Sequence, residues 1–119
     1  MNTVINYADI SREFTAAVAE YMAKGYTINT GTMDGNQGEI AHVDLTNGKE
    51  IIRIVLMYNF IPWPEKEYTI IIGRAHPNVT PNLRAHEAAT IWNSELAIIS
   101  STTYAEKEVG PMEYEYRRI

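Results

Sequence analysis

The chain has 119 residues, no cysteine and a formal net charge of −5 at pH 7. A chain of this length typically forms one domain and hides roughly two-thirds of the surface that it exposes when unfolded. We therefore expect a single domain over residues 1–119, built around one core. The absence of cysteine excludes disulfides and thiolate metal sites, and it is compatible with a cytoplasmic location.

Two further classes of function are disfavoured by the order of the residues. No apolar run approaches the roughly 18 residues needed to cross a bilayer, and the first ten residues carry no basic side chain, so we expect no membrane segment and no export signal. The ten basic residues form no stripe along the chain. This pattern argues against strong nucleic-acid binding.

Residues 7–24 have the pattern of an amphipathic helix. Asn6 is the predicted N-cap, with Asp9 in the position of the capping-box acid, and Gly25 follows where a left-handed C-cap residue belongs. Apolar side chains recur at helical spacing and define one stripe for burial: Ile10, Phe14, Ala17, Val18 and Tyr21.

Three β-strands are predicted to follow, over residues 26–33, 38–46 and 49–58. Asn47-Gly48 separates the last two, and this pair favours a two-residue type I′ hairpin turn. Such a turn sets Thr46 opposite Lys49 and His42 opposite Arg53, with Asp44 diagonal to Arg53.

This hairpin sorts its side chains onto two faces. The face that we expect the helix to cover carries Ala41, Val43, Ile52, Ile54 and Leu56. The outer face carries Ile40, His42, Asp44, Ile51, Arg53 and Val55.

The segment between the first two strands, residues 30–39, contains three glycines and two threonines. Such a composition fits either a phosphate-binding loop or a hairpin connection. A phosphate loop leads into a helix and usually carries a lysine, whereas here a strand follows, lysine is absent, and Asp34 and Glu39 would repel an anion. We interpret the segment as a connection between strands.

The second half of the chain is less regular. Residues 67–74 form a predicted strand, residues 75–89 an irregular connection, and residues 110–119 a loosely packed tail after a Gly-Pro break. The apolar residues from Ile91 to Ile99 could line a helix, but the β-formers Thr102 and Thr103 favour a strand over residues 96–105. The predicted fold class is α+β, with an N-terminal helix packed on one face of a four- to five-stranded antiparallel meander sheet.

The outer face of the hairpin supplies the candidate interaction residues. It is too apolar for a free surface, so we expect a later segment of the chain or a partner to cover it. The interface candidates are Ile40, Ile51, Val55, Met57 and Trp63, the last in a stiff Pro-Trp-Pro segment. The polar patch on the same face is His42, Asp44 and Arg53, which is either an ordinary cross-strand cluster or a small acid–base site.

Only one other group contains the residue types that bind metals. It comprises His76, His86 and Glu87, but its spacing matches no known metal motif, so a surface loop is the favoured interpretation and no metal is assigned. No catalytic residues and no cofactor are indicated, because the chain has no Gly-x-Ser-x-Gly, no cysteine and no Glu-x-Lys triplet. We lean toward a protein that is not an enzyme.

Residues 25–56, "GYTINTGTMDGNQGEIAHVDLTNGKEIIRIVL", follow one amphipathic helix. In this order of a helix, a glycine, a hairpin with Asn-Gly and an apolar strand, the first half of the chain resembles small proteins of unassigned function carried by bacterial plasmids, phages and integrative elements. The resemblance implies an α+β accessory protein of a mobile element that acts by binding another protein. It transfers no site residues.

These observations favour a small non-catalytic module that binds a protein partner or forms a homo-oligomer. The first alternative is a small metal-dependent hydrolase that uses His76, His86 and Glu87, or His42 and Asp44. The second is weak single-stranded nucleic-acid binding through aromatic rings and three arginines, Arg53, Arg74 and Arg84.

Overall fold

The computed structural model describes residues 4–29, 39–60, 66–75 and 96–119. In chain order the elements are β1 (Val4–Ile5), α1 (Tyr7–Ala23), β2 (Thr27–Ile28), β3 (Glu39–Thr46), β4 (Ile51–Phe60), β5 (Lys66–Ala75), β6 (Leu96–Gly110) and β7 (Glu113–Arg118). Within these ranges no helix has both the length and the apolar character that a bilayer-spanning segment requires.

Helix α1 begins and ends as its flanking residues predict. The Asn6 side chain accepts a hydrogen bond from the Asp9 N–H at 3.1 Å, and the Asp9 carboxylate accepts one from the Asn6 N–H at 3.0 Å, which completes the capping box. At the other end Gly25 has a φ of +95°. The Tyr26 and Gly25 N–H groups bond back to the Tyr21 and Met22 carbonyls, as in a Schellman motif.

All the strands belong to one antiparallel sheet, in the order β1-β7-β6-β5-β4-β3-β2. Strands β2 to β7 lie side by side in chain order, and β1 pairs with β7 at the opposite edge from β2. The α+β class with a helix on an antiparallel sheet is therefore confirmed. Within the described residues the sheet has seven strands, more than the four to five expected, since β1 and β7 add to the predicted strands. Of the first predicted strand, residues 26–33, the structure shows β2 at residues 27–28, and residues 30–33 lie outside the described residues.

The β3–β4 hairpin turns over residues 47–50 and not over Asn47-Gly48 alone. Thr46 pairs with Ile51, so the predicted register is shifted by two residues. The longer turn is stabilised by the Asn47 side chain, because its Oδ1 accepts hydrogen bonds from the backbone N–H groups of Lys49 at 2.9 Å and Glu50 at 3.1 Å. These bonds make an Asx-type turn in which only Gly48 adopts a positive φ.

A shift of two residues preserves the assignment of side chains to faces, because side chains alternate with a period of two. The core beneath α1 is formed by Ile10 with Leu45, Ile52, Ile54, Leu56 and Ile70, all buried. Phe14, Ala17, Val18 and Tyr21 of the predicted helix stripe pack against this cluster. The core is thus formed by the apolar stripe of the helix and the apolar face of the strands, as the helical period of 3.6 residues and the strand period of two predict.

The end of the chain is part of the sheet and not a loosely packed tail. Strand β7 pairs with β6 over residues 113–118 and with β1 at Tyr116 and Arg117. Tyr116 is buried in the core cluster. The Gly-Pro sequence at 110–111 is therefore the turn of a long hairpin and not the start of a tail.

Candidate interaction site

The outer face of β3 and β4 is occupied by a buried ion pair. Asp44 and Arg53 are directly opposite each other in the ladder, where the shifted register places them. Arg53 Nε donates to Asp44 Oδ1 at 2.6 Å and Arg53 Nη2 donates to Asp44 Oδ2 at 2.7 Å. Both side chains are at most 3% exposed. This is the two-pronged geometry in which a guanidinium binds a carboxylate most strongly.

The ion pair is a structural feature of a water-excluded surface. Ile51 and Val55, its apolar neighbours on β4, are also buried within the single chain. Two charges removed from water are tolerated only when each compensates the other. A substrate would have to reach a carboxylate that is already occupied by arginine and closed to solvent, which disfavours an acid–base role for this pair.

His42, the third member of the predicted polar patch, lies two residues from Asp44 on the same face. Its ladder partner is Val55 and not Arg53 as predicted, because the turn is two residues longer than expected. The side chain is half-buried and has interaction partners of its own. The patch therefore contains one closed ion pair and one adjacent imidazole.

The predicted interface residues divide by burial. Ile51 and Val55 are buried, so atoms of the same chain already cover them, whereas Met57 is half-buried. Ile40 is exposed and sits at a bulge where β3 and β4 shift register. Most of this face is consequently unavailable to a partner. Trp63 lies outside the described residues.

The candidate metal ligands His76, His86 and Glu87 also lie outside the described residues, as does Arg84. Among the residues that the structure does describe, no group of three or more histidine or acidic side chains is placed to hold a metal ion. Of the three arginines considered for nucleic-acid binding, Arg53 is bound to Asp44 and Arg74 is bound to Glu50.

Glu50 links three elements at one end of the sheet. Its carboxylate accepts a hydrogen bond from the Tyr26 hydroxyl at 2.7 Å and another from Arg74 Nε at 2.8 Å. The hydrogen bond to Glu50 raises the pKa of Tyr26. Because Glu50 lies in the β3–β4 turn, this network ties that turn to the end of α1 and to β5.

At the other end of the helix-covered face, four tyrosine rings pack together. Tyr68 is central, with ring centroids 4.8 Å from Tyr58, 5.2 Å from Tyr7 and 5.6 Å from Tyr116. Burial raises the pKa of Tyr68 to about 12, with a further contribution from the nearby Glu106 carboxylate. Burial and a hydrogen bond to Glu106 also raise the pKa of Tyr116. A tyrosine with a raised pKa stays protonated at neutral pH, so Tyr68 and Tyr116 are suited to packing and not to abstracting a proton.

Strand β6 contains the longest run of exposed residues among the described strands. Its pairing with β5 covers one edge, while β7 covers the other edge only from Tyr104 onward. Between residues 97 and 101 every side chain is exposed, with Ile98 at 63% and Ile99 at 44%. We call residues 97–102 of β6, on the side that faces away from β5, the open edge.

The composition of residues 96–105 is itself a sequence signal for the open edge. Residues 96–105 contain no charged residue, no proline and no glycine, and they are rich in isoleucine and threonine. Natural sheets protect edge strands with charges or proline. An uncharged β-forming run at an edge therefore marks a strand that can accept a neighbour.

Beyond the open edge, β6 and β7 form a protruding acidic hairpin end, residues 106–115. This stretch contains four glutamates and one lysine. Its turn places Met112 at a φ of +61° with its side chain 90% exposed. The two ends of β6 thus differ sharply in charge.

Comparison with known proteins adds no relative: no family model, no curated protein and no solved structure matches this chain. The residues of the open edge are accordingly interpreted from their own geometry and chemistry.

Proposed function

We propose that this chain is a small non-catalytic protein-binding module that self-associates through the open edge of β6. The observation that carries the proposal is an uncharged strand edge, residues 97–102, in which residues 97–101 are all exposed, Ile98 at 63%. Unpaired N–H and C=O groups along such an edge accept a further strand by the hydrogen bonding that joins strands within a sheet.

The candidate chemistry elsewhere supports a binding role. The Asp44–Arg53 pair is closed to solvent, and the tyrosines of the helix-covered face have raised pKa values. A catalytic carboxylate or phenol needs access to substrate and a pKa near the working pH. Neither group meets both conditions. A cytoplasmic accessory protein of a mobile element fits this role, in line with the resemblance of residues 25–56.

Light scattering over a range of protein concentrations tests the proposal. We expect the wild type to exceed the 13.5 kDa monomer mass, and Ile98→Lys to shift it toward monomer. A charged side chain on an edge strand is one of the features by which natural sheets prevent a further strand from pairing. The matched control is Met22→Lys, which changes a 48% exposed apolar residue on the helix. A monomeric wild type, or association that Ile98→Lys leaves unchanged, would contradict the proposal.

The rival proposal is a small metal-dependent hydrolase built on His76, His86 and Glu87. It is tested by the metal content of protein purified without chelator. About one divalent ion per chain would support the rival, because a catalytic site holds its metal with several protein ligands. A second rival, weak single-stranded nucleic-acid binding, predicts an oligonucleotide mobility shift that weakens as salt rises.

A further inference from the structure

We infer that two copies of this chain pair their β6 strands antiparallel along the open edge, joining two sheets into one continuous sheet across a two-fold axis. This inference rests on the proposed function and specifies the partner and its orientation. It follows from the length of the open edge, the direction of its backbone groups and the distribution of charge along β6.

The last contacts of β7 with β6 set the length of the open edge among the described residues. The Ile119 N–H donates to the Thr103 carbonyl at 2.9 Å, and the last ladder pair of β7 is Arg118 with Tyr104. The contacts of β7 with β6 therefore reach Thr103, and residues 97–102 have no described neighbour on that side. Six residues at about 3.4 Å each span roughly 20 Å, a common strand length.

At Ser101 the backbone groups point outward from the open edge. In an antiparallel ladder, successive residues direct their N–H and C=O groups to alternate sides. Since the Thr103 carbonyl points toward β7, the Ser101 N–H and C=O point to the same side, where the open edge lies. The pairing of Thr102 with Ile70 and of Ser100 with Ile72 uses the other side.

Charge favours a second copy as the neighbour. In antiparallel pairing across a two-fold axis every contact is between residues of the same segment, so charges of one sign within that segment would lie close to one another. Residues 96–105 contain none, although the chain as a whole has a net charge of −5. The open edge is thus a segment where two acidic copies can meet without like charges in contact.

Charge also selects the antiparallel orientation. The acidic hairpin end, residues 106–115, continues β6 beyond the open edge. Parallel pairing would set the two acidic ends side by side, whereas antiparallel pairing sends them to opposite ends of the joined sheet. The bulge in β6 near Ile99 disrupts the regular alternation of backbone groups at that point of the open edge.

Cysteine cross-linking tests the orientation, and the natural chain contains no cysteine to interfere. Residues facing each other across an antiparallel pair have Cα atoms within the range that a disulfide spans. We expect Ser100→Cys or Ser101→Cys to form a disulfide-linked dimer under mild oxidation at least about tenfold faster than Ser11→Cys, an exposed serine on α1. Equal rates at the three positions would overturn the inference.

A second variant tests the backbone contact. Ser101→Pro removes the outward N–H and places a ring on the open edge, while its neighbours keep their bonds to β5. We expect unchanged circular dichroism and a dimer dissociation constant raised about tenfold or more. A well-folded variant that associates like the wild type would overturn the inference.

These results are distinguishable from failure of the proposed function. If the wild type associates and Ile98→Lys disrupts it, but neither serine position cross-links selectively, the module self-associates in another orientation and only the inference fails. If the wild type is monomeric at every concentration, both fail.

Discussion

The outer face of β3–β4 and the open edge of β6 are similar in apolar composition but differ in solvent exposure. Both are rich in isoleucine and other β-formers, yet Ile51 is 1% exposed and Ile98 is 63% exposed. The first surface is buried even though it carries two charges, because Asp44 and Arg53 neutralise each other there. The second carries no charge and is open.

The comparison teaches that apolar composition alone does not locate an interface. A strand in the middle of a sheet has its backbone bonded on both sides, and only its side chains need cover. A strand at an edge has unpaired backbone groups as well, so it offers both hydrogen bonds and apolar contact. The extent of pairing along each strand therefore decides which apolar segment is available to a partner: β6 lies between β7 and β5, but the described pairs of β7 begin at Tyr104.

The largest effect is expected from breaking the buried ion pair. Arg53→Ala leaves the Asp44 carboxylate buried without its cation, which should lower the free energy of unfolding by about 3–5 kcal/mol. Denaturant titration measures the loss. The double variant Asp44→Leu/Arg53→Met should recover much of it, since no lone charge is left behind. Equal losses in the single and double variants would show that the charge pairing is not the cause.

The next effect compares one substitution at two sites. Ile54→Ala removes a side chain that is fully buried under α1, and we expect a loss of about 2–5 kcal/mol from the cavity. Ile98→Ala, at the open edge, should change the stability of the monomer by less than about 0.5 kcal/mol. Thermal or denaturant unfolding at low protein concentration separates the two. Similar losses at both sites would contradict the described burial.

A smaller effect is expected at the helix N-terminus. Asn6→Ala removes the side chain that accepts the Asp9 N–H, which should cost about 1 kcal/mol of stability. Asn6→Ser keeps an acceptor at the cap and is the matched control. A serine variant as unstable as the alanine variant would show that another property of Asn6 matters.

The same cap has a pH dependence. Hydrogen bonds from the Asn6 backbone and from Arg12 lower the pKa of Asp9 below its usual 3.8. A lowered pKa in the folded state means that this contribution is present above the pKa of the unfolded chain and is lost as the pH falls through the folded value. In Asp9→Asn the free energy of unfolding should therefore fall less steeply as the pH is lowered. Denaturant unfolding at several values between neutral and acid pH measures this slope.

The most limited effect is confined to alkaline solution. The pKa of Tyr68 is raised to about 12 from a usual 10.0, so the unfolded chain releases this proton first as the pH rises. Stability should therefore fall between about pH 10 and pH 12, and less so in Tyr68→Phe. Ultraviolet titration of the phenolates in the wild type and in Tyr68→Phe checks the shift: a Tyr68 that ionises near pH 10 would contradict its burial.

Local rules predicted the helix and the two faces of the hairpin well. The capping box at Asn6 and the left-handed Gly25 depend on neighbouring residues alone, so the sequence specifies them directly. The sides of β3 and β4 also follow from a period of two, which survives a register shift of two residues. These features needed no knowledge of distant contacts.

The failures came from competing local chemistry and from sheet order. The Asn47 side chain drew two N–H groups into a longer turn, and that shift made Asp44 and Arg53 direct partners. Strand β7 was missed because Gly110-Pro111 was interpreted as a break, although tyrosines alternate at 114 and 116. The open edge depends on where the pairing of β7 with β6 stops, which no local pattern encodes.

Amide hydrogen exchange at Ser101, followed at low and high protein concentration, tests the central claim most directly. If copies pair along the open edge, the outward Ser101 N–H becomes hydrogen-bonded on association and its exchange slows as concentration rises, while exchange of the Val55 amide, in a central strand, stays the same. Exchange at Ser101 that is equally fast at every concentration would contradict the account.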